Sequence, residues 1–222
     1  MPGALLIPVK TLGNAKQRLG EAFDQPHRAL LAEAMLRDVL SAAAGLENRL
    51  DIFLVTGDSH AKSLASEFGF GVFEDRANDS ETAAIELATA RCILQGYDTT
   101  VVIPGDVPLI TSDELHGVLN AAPGEGVAIV PAYDRRGSNC ILRRPSDLIP
   151  LRFGNDSFLP HCEAVRKAGK SLVILEMPGI GLDIDYPHEL ELLLQRDGDT
   201  HAQRLLREWG NSVNSVTWEA AG

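Results

Sequence analysis

The chain has 222 residues, 45% of them hydrophobic and 23% charged, a composition typical of one globular domain with a full core. Its formal net charge of −11 argues against the clustered basic surface that nucleic acids and anionic membranes require, so neither is expected as a partner. Three scattered cysteines without a C-x-x-C spacing favour reduced thiols over a disulfide framework or a zinc site. The chain starts without a basic n-region and has no apolar run of membrane-spanning length, so a cytoplasmic protein is expected.

The first half of the chain alternates predicted strands and helices. Strands are predicted at residues 4–9, 51–56, 71–74 and from 101, and helices at about 24–44, 59–68, 80–96 and 111–121. Capping signals mark several helix starts, including Asp24 before Pro26 and a capping box formed by Thr111 and Glu114. This alternation predicts an α/β fold, with a mostly parallel, Rossmann-like sheet and helices on both faces.

A basic loop follows the first predicted strand. Lys10, Lys16 and Arg18 lie within nine positions of an otherwise acidic chain, with Gly13 and Asn14 as turn residues. Cations converging after a first strand are suited to holding a polyphosphate. The alternative is a solvated surface loop, and the Walker A pattern G-x4-GK[ST] is missing.

An apolar, β-branched run from Val101 to Ile103 predicts a central strand that ends at an aspartate. Pro104 and Gly105 end the strand, and Asp106 follows directly. Ligands of open α/β sheets bind at this edge, where a carboxylate needs a cation or a donor to offset its charge. Capping of a turn or of the next helix is the alternative role for Asp106.

The second half predicts a β-hairpin insertion with a polar turn. Predicted strands at 127–132 and 140–143 flank this turn, which carries Arg136, Ser138 and Asn139. A hydroxyl and an amide beside arginines suit a small anionic substrate.

A further anion site is predicted where Gly154 and Ser157 precede a helix that runs through Lys167. Free N–H groups at a helix N-terminus suit a phosphate or a carboxylate, whereas ordinary capping by Asp156 or Ser157 needs no ligand. His161 on this helix is interpreted as a partly buried surface residue rather than a catalyst.

An acidic pair follows a late strand predicted at residues 172–176. In an extended chain Asp183 and Asp185 point the same way, while Leu182 and Ile184 anchor the other side. With Asp106 they make a set of three carboxylates, the oxygen ligands that Mg²⁺ prefers when phosphates fill its remaining positions. Asp185 can also cap the next helix.

Together these features predict metal-assisted transfer to or from a nucleotide within one catalytic domain, residues 1–196. Residues 197–222 are predicted to form a peripheral C-terminal helix and polar tail. The tail is a candidate subunit contact of a homodimer.

Several motifs resemble the guanylyltransferases of coenzyme F420 biosynthesis, and the resemblance extends to about residue 195. They are Ile7-Pro8-Val9-Lys10 with Lys16 and Arg18-Leu19, Pro104 to Leu109, Asp134 to Asn139, Phe153-Gly154 with Ser157-Phe158, and Gly181 to Asp185 with Pro187. The resemblance implies a single-domain nucleotidyltransferase α/β fold. It implies an enzyme that couples GTP with a phosphorylated three-carbon acid and releases pyrophosphate. The acid would be 2-phospho-L-lactate, phosphoenolpyruvate or 3-phospho-D-glycerate, and the product would pass to the next transferase of the pathway.

The same resemblance implies roles for individual residues. Lys10, Lys16, Arg18 and Asp106 would be the catalytic residues, and Pro8, Val9 and Pro104 would join them in binding the nucleotide. Asp106, Asp183 and Asp185 would hold Mg²⁺, while Arg136, Ser138, Asn139, Gly154 and Ser157 would bind the acid. The chain departs from the family at residues 79–83, which read Asp-Ser-Glu-Thr-Ala in place of a Gly-Leu-Asn-like stretch expected to approach the nucleotide.

Three other functions remain open from the residues. One is another nucleotidyltransferase of this fold, acting on a sugar phosphate or a molybdopterin-type cofactor. A nucleotide-sugar glycosyltransferase would also use the Asp183-x-Asp185 pattern, although the basic loop carries more charge than a diphosphate donor needs. A non-catalytic nucleotide-binding protein would bind nucleotide without turnover.

Overall fold

A computed structural model of the chain describes residues 2–46, 49–75, 80–122, 124–154 and 156–219, without the side chains of 211–219. The strands are β1 (Gly3–Pro8), β2 (Asp51–Thr56), β3 (Gly71–Glu74), β4 (Thr99–Val102), β5 (Gly126–Pro131), β6 (Ser138–Arg144) and β7 (Ser171–Ile174). The helices are α1 (Gln25–Ala44), α2 (Ser59–Glu67), α3 (Glu81–Leu94), α4 (Ser112–Ala121), α5 (Phe158–Lys167), α6 (Pro187–Gln195) and α7 (His201–Glu219).

The strands form one seven-stranded sheet in the order β3-β2-β1-β4-β6-β5-β7. β1 pairs in parallel with β2 and β4, β2 with β3, and β5 with β7, whereas β6 runs antiparallel to its neighbours β4 and β5. The expected α/β fold with a mostly parallel sheet is confirmed. The predicted hairpin consists of β5 and β6, and β6 is inserted between β4 and β5.

The apolar run of β1 shows why helices cover both faces of the sheet. Leu5 and Ile7 pack in the cluster that includes α1, α2 and α4, whereas Ala4 and Leu6 pack in the cluster that includes α3 and α5. Successive side chains of a strand point to opposite faces, so a strand without polar residues needs an apolar layer on each side.

The chain switches sides of β1 when it passes from β3 to β4. β2 and β3 lie on one side of β1 and β4 lies on the other, which creates a topological switch point at the carboxyl ends of β1 and β4. Lys10 follows β1 and Asp106 follows β4. The topology therefore brings the basic loop and the first aspartate to the same edge.

Most helix starts follow the predicted capping. The side chains of Asp24, Ser80 and Thr111 accept hydrogen bonds from first-turn N–H groups of α1, α3 and α4. Two residues of the predicted α3 cap, Asn78 and Asp79, lie outside the described residues.

The capping box expected from Glu114 does not form. Its carboxylate accepts instead from the N–H groups of Gly179, at 2.7 Å, and Ile180, at 3.1 Å. Two well-placed donors from a distant loop replace the single local N–H of the capping box. Glu114 thus anchors the loop that leads to the acidic pair.

The segment beyond residue 196 packs onto α1 where α7 begins. Ala202 and Leu206 are buried in a cluster that includes Met35 of α1. Asp38 of α1 accepts hydrogen bonds from the N–H groups of His201, at 2.7 Å, and Ala202, at 3.0 Å. In the described ranges, neither α7 nor another helix is long and apolar enough to cross a membrane.

Candidate active site

A cleft of about 810 Å³ opens at the carboxyl ends of β1 and β4. Its lining includes every site residue predicted from the sequence: Pro8, Val9, Lys10, Lys16, Arg18, Pro104, Asp106, Arg136, Ser138, Asn139, Gly154, Ser157, Asp183 and Asp185. The basic loop, the first aspartate, the hairpin turn and the acidic pair therefore share one cavity.

The ammonium group of Lys16 lies between two carboxylates at the centre of this cleft. Its Nζ contacts Asp106 and lies 3.0 Å from Asp185 Oδ1, and the side chain is only 8% exposed. Burial opposes the charged form, but the charges and hydrogen bonds of both aspartates outweigh it and raise the pKa of Lys16. One buried cation thus offsets much of the charge of two carboxylates.

Arg18 supports the same cluster from its exposed side. Its NH1 lies 2.7 Å from Asp185 Oδ2, and its guanidinium lies over the ring of Tyr186, 5.0 Å from the centroid. Burial alone would raise the pKa of Asp185, but Lys16 and Arg18 outweigh it and lower that pKa. Two of the three cations of the basic loop, Lys16 and Arg18, are therefore paired with Asp185, whereas Lys10 is exposed.

The loop that carries the acidic pair is fixed to the end of β4. Ile184 N donates to the backbone oxygen of Asp106 at 3.1 Å. Leu182 and Ile184 are buried, as the two-residue period predicts. Burial, together with the charge of Asp106, raises the pKa of Asp183 to about 6.

Asn139 orients Asp183. Its Nδ2 lies 2.9 Å from Asp183 Oδ1, 3.0 Å from the backbone oxygen of Ile180 and 3.2 Å from that of Gly181. Although Asn139 lines the cleft, its amide protons are directed at this loop.

Asp106, Asp183 and Asp185 carry the carboxylate oxygens that hard divalent cations prefer as ligands. Asp106 Oδ1 is buried and, among the described residues, has no hydrogen-bond partner, while burial and the charge of Asp106 raise the pKa of Asp183. No three carboxylate, imidazole or thiolate groups of the described chain are gathered closely enough to hold an ion in this conformation. Lys16 instead occupies the position between Asp106 and Asp185.

Asp185 does not cap α6. Tyr186 is the N-cap residue, and Glu189 Oε2 accepts from the N–H groups of Asp185, at 2.5 Å, and Tyr186, at 2.8 Å. Glu189 supplies the local acceptor, so the carboxylate of Asp185 is left for Lys16 and Arg18.

The hairpin turn and the start of α5 form the opposite wall of the cleft. Ser138 N donates to Ser157 Oγ at 3.0 Å, and Phe158 N donates to the backbone oxygen of Arg136 at 2.9 Å. Ser157 is the N-cap residue of α5 but makes no side-chain cap bond, because its hydroxyl faces β6. The ordinary capping role considered for Ser157 is therefore not observed.

Two neighbouring residues complete this wall. Asp156 has a left-handed backbone conformation and forms an exposed ion pair with Arg136, with Nε 2.7 Å from Oδ1. Asp156, the second residue considered as a cap of α5, is therefore paired with the hairpin turn. Gly154 has a φ of 124°, which glycine adopts without strain.

Sequence reasoning missed two residues near this cleft. Glu81, the first residue of α3, lines it, and burial together with the charge of Asp106 raises the pKa of Glu81 to about 7. His161 is 1% exposed, so its interpretation as a surface residue is wrong. The signal for Glu81 was the departure from the family at residues 79–83. The signal for His161 was its spacing of four residues from Ser157, which puts both on one helix face.

Comparison with known proteins places the chain in a family. A family model described as "Guanylyl transferase CofC like" matches residues 3–220. A phosphoenolpyruvate guanylyltransferase of Roseiflexus castenholzii is 35% identical, covering 96% of this chain and 98% of that protein. A 2-phospho-L-lactate guanylyltransferase of Methanothermobacter thermautotrophicus is 31% identical, covering 94% of this chain and 91% of that protein.

A solved structure from Desulfovibrio desulfuricans G20, described as a nucleotide-diphospho-sugar transferase, has the same fold. The TM-score is 0.78 at 23% identity, covering 97% of this chain and 98% of that one. At this identity the likeness shows the fold alone. The family match and the curated relatives go further: this chain belongs to the CofC-like guanylyltransferase family.

Proposed function

We propose that the protein is a Mg²⁺-dependent guanylyltransferase that joins GTP to a phosphorylated three-carbon acid and releases pyrophosphate, in coenzyme F420 biosynthesis. The observation that carries this proposal is the single cleft with Lys16, Asp106 and Asp185 on one side and Ser138 and Ser157 on the other. The names of the relatives, which act on phosphoenolpyruvate and 2-phospho-L-lactate, support the class of acceptor.

The nucleotide side of the proposal uses the basic loop. Lys10, Lys16 and Arg18 line the cleft directly after β1 and supply the positive charge that a triphosphate needs. Pro8, Val9 and Pro104 also line the cleft and would contact the nucleotide. Residues 1–196 make up the catalytic domain in this proposal.

The metal side uses Asp106, Asp183 and Asp185. When bound, Mg²⁺ neutralises charge on the phosphates and orients them for displacement. The buried, unpaired Oδ1 of Asp106 and the raised pKa of Asp183 are the features that favour these residues as ligands.

The acceptor side uses the wall formed by the hairpin turn and α5. The carboxylate and phosphate of the acid need hydrogen-bond donors and positive charge. This wall offers the hydroxyl groups of Ser138 and Ser157, the exposed backbone at Gly154 and the guanidinium of Arg136. Asn139, which follows Ser138 in this wall, orients the proposed metal ligand Asp183.

The chemistry needs no nucleophile from the protein. An oxygen of the acceptor phosphate forms a bond to the α-phosphorus of GTP, and the bond from that phosphorus to the β-phosphate bridging oxygen breaks, releasing pyrophosphate. The protein contributes orientation and charge compensation, which are the main sources of catalysis in phosphoryl and nucleotidyl transfer. The activated product is then suited to donate its acid to the next transferase of the pathway.

The proposal is tested by pyrophosphate release with Mg²⁺ across a grid of four nucleoside triphosphates and three acids. The acids are 2-phospho-L-lactate, phosphoenolpyruvate and 3-phospho-D-glycerate. Turnover restricted to GTP and one acid is expected, since small differences in acceptor shape are read by the pocket. Absence of turnover across the grid, with GTP still bound, would contradict it.

Two variants test the metal ligands. D106N and D183N should lower turnover by about two orders of magnitude or more, with circular dichroism unchanged. D147N, which removes an exposed carboxylate away from the cleft, is the matched control. Unchanged pyrophosphate release in both cleft variants would exclude this ligand set.

A further inference from the structure

The imidazole of His161 bridges the acceptor wall to the backbone behind it. His161 lies on α5 and is 1% exposed. Its Nδ1 is 3.0 Å from Ser138 Oγ, and its Nε2 is 2.9 Å from the backbone nitrogen of Arg152. Both ring nitrogens are therefore engaged.

These two contacts fix the tautomer of the ring. A backbone N–H can only donate, so Nε2 must accept from Arg152 and carries no proton. Burial, reinforced by the charges of Arg143 and Arg152, lowers the pKa of His161 to about 4, so the ring is neutral near pH 7. A neutral ring has one proton, which is then on Nδ1.

The tautomer sets the direction of the Ser138 hydroxyl. Because Nδ1 carries the proton, it donates to Ser138 Oγ, and Ser138 cannot donate back to it. The proton of that hydroxyl therefore points to another acceptor, and Ser138 lines the cleft. Ser157 is arranged in the same way, since its Oγ accepts from Ser138 N.

We propose that His161 is a positioning residue that holds the Ser138 hydroxyl as a hydrogen-bond donor to an anionic oxygen of the acceptor acid. This role rests on the proposed function, which places the acid at Ser138 and Ser157. An anionic oxygen only accepts hydrogen bonds, so a wall whose hydroxyls already accept from the protein is suited to it. His161 does not touch the acceptor itself.

A merely structural role for His161 must be separated from this one. The ring also holds the backbone at Arg152 and packs edge-on against Phe153, with 5.8 Å between the ring centroids. Any substitution that removes both contacts would disturb the loop at 152–154 and so would not distinguish the two roles.

Two near-isosteric variants separate the two contacts. In H161Q the amide group takes the position of Nε2, so an acceptor for Arg152 N–H is kept and the donor to Ser138 is lost. In H161N the amide group takes the position of Nδ1, so the donor to Ser138 is kept and the other contact is lost. If His161 only supports the loop, both variants should have raised KM values for the acceptor acid, and H161N should be affected most because it loses the contact with Arg152.

The expected result is a split in the kinetic constants. H161Q should raise KM for the acceptor acid about tenfold, the effect of losing one hydrogen bond to an anion, with KM for GTP within about twofold of wild type. H161N, which keeps the donor to Ser138, should have a KM for the acceptor acid close to that of wild type. In the S138A background H161Q should add no further rise, because the hydroxyl on which His161 acts is gone.

A spectroscopic measurement tests the tautomer without turnover. Long-range ¹H–¹⁵N correlation spectra of the full chain should show the His161 proton on Nδ1, with the signal assigned by its loss in H161Q. A proton on Nε2, or additive effects of H161Q and S138A on acceptor KM, would overturn the proposal. A wild-type enzyme that turns over none of the acids would overturn the proposed function and this role with it, whereas normal wild-type turnover with an unaltered H161Q would overturn this role alone.

Discussion

Lys16 Nζ lies 3.0 Å from Asp185 Oδ1, although 169 residues separate the two in the chain. The same ammonium contacts Asp106, so it lies between two of the carboxylates proposed above as metal ligands. Lys16 itself has a left-handed backbone conformation, with a φ of 54°, between two short 3-10 turns. The site thus holds an internal cation where a divalent ion and a triphosphate are proposed to bind.

The first prediction is that K16M binds divalent cations more tightly but catalyses more slowly. Removing the ammonium frees the carboxylates of Asp106 and Asp185, so Mn²⁺ affinity without nucleotide should rise about tenfold. Turnover should fall by about two orders of magnitude, because the phosphates lose a charged donor. Electron paramagnetic resonance titration of free Mn²⁺ and pyrophosphate release measure the two effects.

The control for this variant is K170M, which removes a partly exposed lysine that pairs with Glu125 and directly precedes the edge strand β7. It should change neither Mn²⁺ affinity nor turnover. Equal or weaker Mn²⁺ binding by K16M would show that Lys16 does not compete with the ion.

The second prediction concerns the pH dependence of stability in the metal-free protein. The pKa of Glu81, about 7, lies above its ordinary value of 4.5, so between these pH values the native state holds a proton that the unfolded chain has released. Glu81 should therefore add about 2 kcal/mol to the free energy of unfolding as the pH falls from about 8 to about 5, after allowance for partial exposure. Buried His161, whose pKa of about 4 lies below its ordinary value of 6.5, contributes a fall over the same range, so the rise due to Glu81 is the difference between wild type and E81Q. In E81Q most of this rise should be lost, although Asp183 keeps a smaller one of the same sign.

Urea denaturation at several pH values, in the presence of a chelator, measures this effect. A wild-type slope equal to that of E81Q would contradict the assignment of the raised pKa to Glu81. The same variant also tests the departure at residues 79–83, since removing a carboxylate from the cleft should strengthen binding of the triphosphate.

The edge of the sheet that carries the site could be predicted because it depends on short-range patterns. The apolar runs at residues 4–9 and 101–103, the second ended by Pro104 and Gly105, marked two strands, and carboxyl ends of parallel strands share an edge. The alternation from Leu182 to Asp185 gave the orientation of the acidic pair, because side chains of an extended chain alternate.

The contacts that organise the site could not be predicted in the same way. Glu114 satisfies its local spacing rule but binds the N–H groups of Gly179 and Ile180, 65 and 66 residues away. Asn139 carries the chemistry of a ligand contact, yet its amide orients Asp183. In both cases one side chain could make either of two chemically equivalent hydrogen bonds. A partner distant in sequence decides which bond forms, and no local pattern encodes that partner.

The third prediction is that Arg143 is essential for the stability of the domain. Its side chain is fully buried and donates to the backbone oxygen of Ile149, at 2.9 Å, and to Thr89 Oγ1, at 2.8 Å, with Glu86 at 3.4 Å. R143A leaves the backbone oxygen of Ile149 and Thr89 Oγ1 without this donor and opens a cavity, so unfolding free energy should fall by about 3–5 kcal/mol. The exposed control R207A should change it by less than about 0.5 kcal/mol. A loss below about 1 kcal/mol in R143A would contradict this role.

The last prediction is that Asp38 attaches the start of α7 to the domain. Its carboxylate accepts from the N–H groups of His201 and Ala202 and from the ring of His201, at 2.9 Å, so one side chain caps α7 from a different helix. D38A should lower the free energy of unfolding by about 1–2 kcal/mol, the usual cost of losing an N-cap. Amide hydrogen exchange at residues 202–206 should quicken while exchange in β1 and β4 follows only the global loss. The exposed variant E163A should leave both unchanged. Unaltered exchange at residues 202–206 in D38A would mean that burial of Ala202 and Leu206 against Met35 holds α7 without the cap.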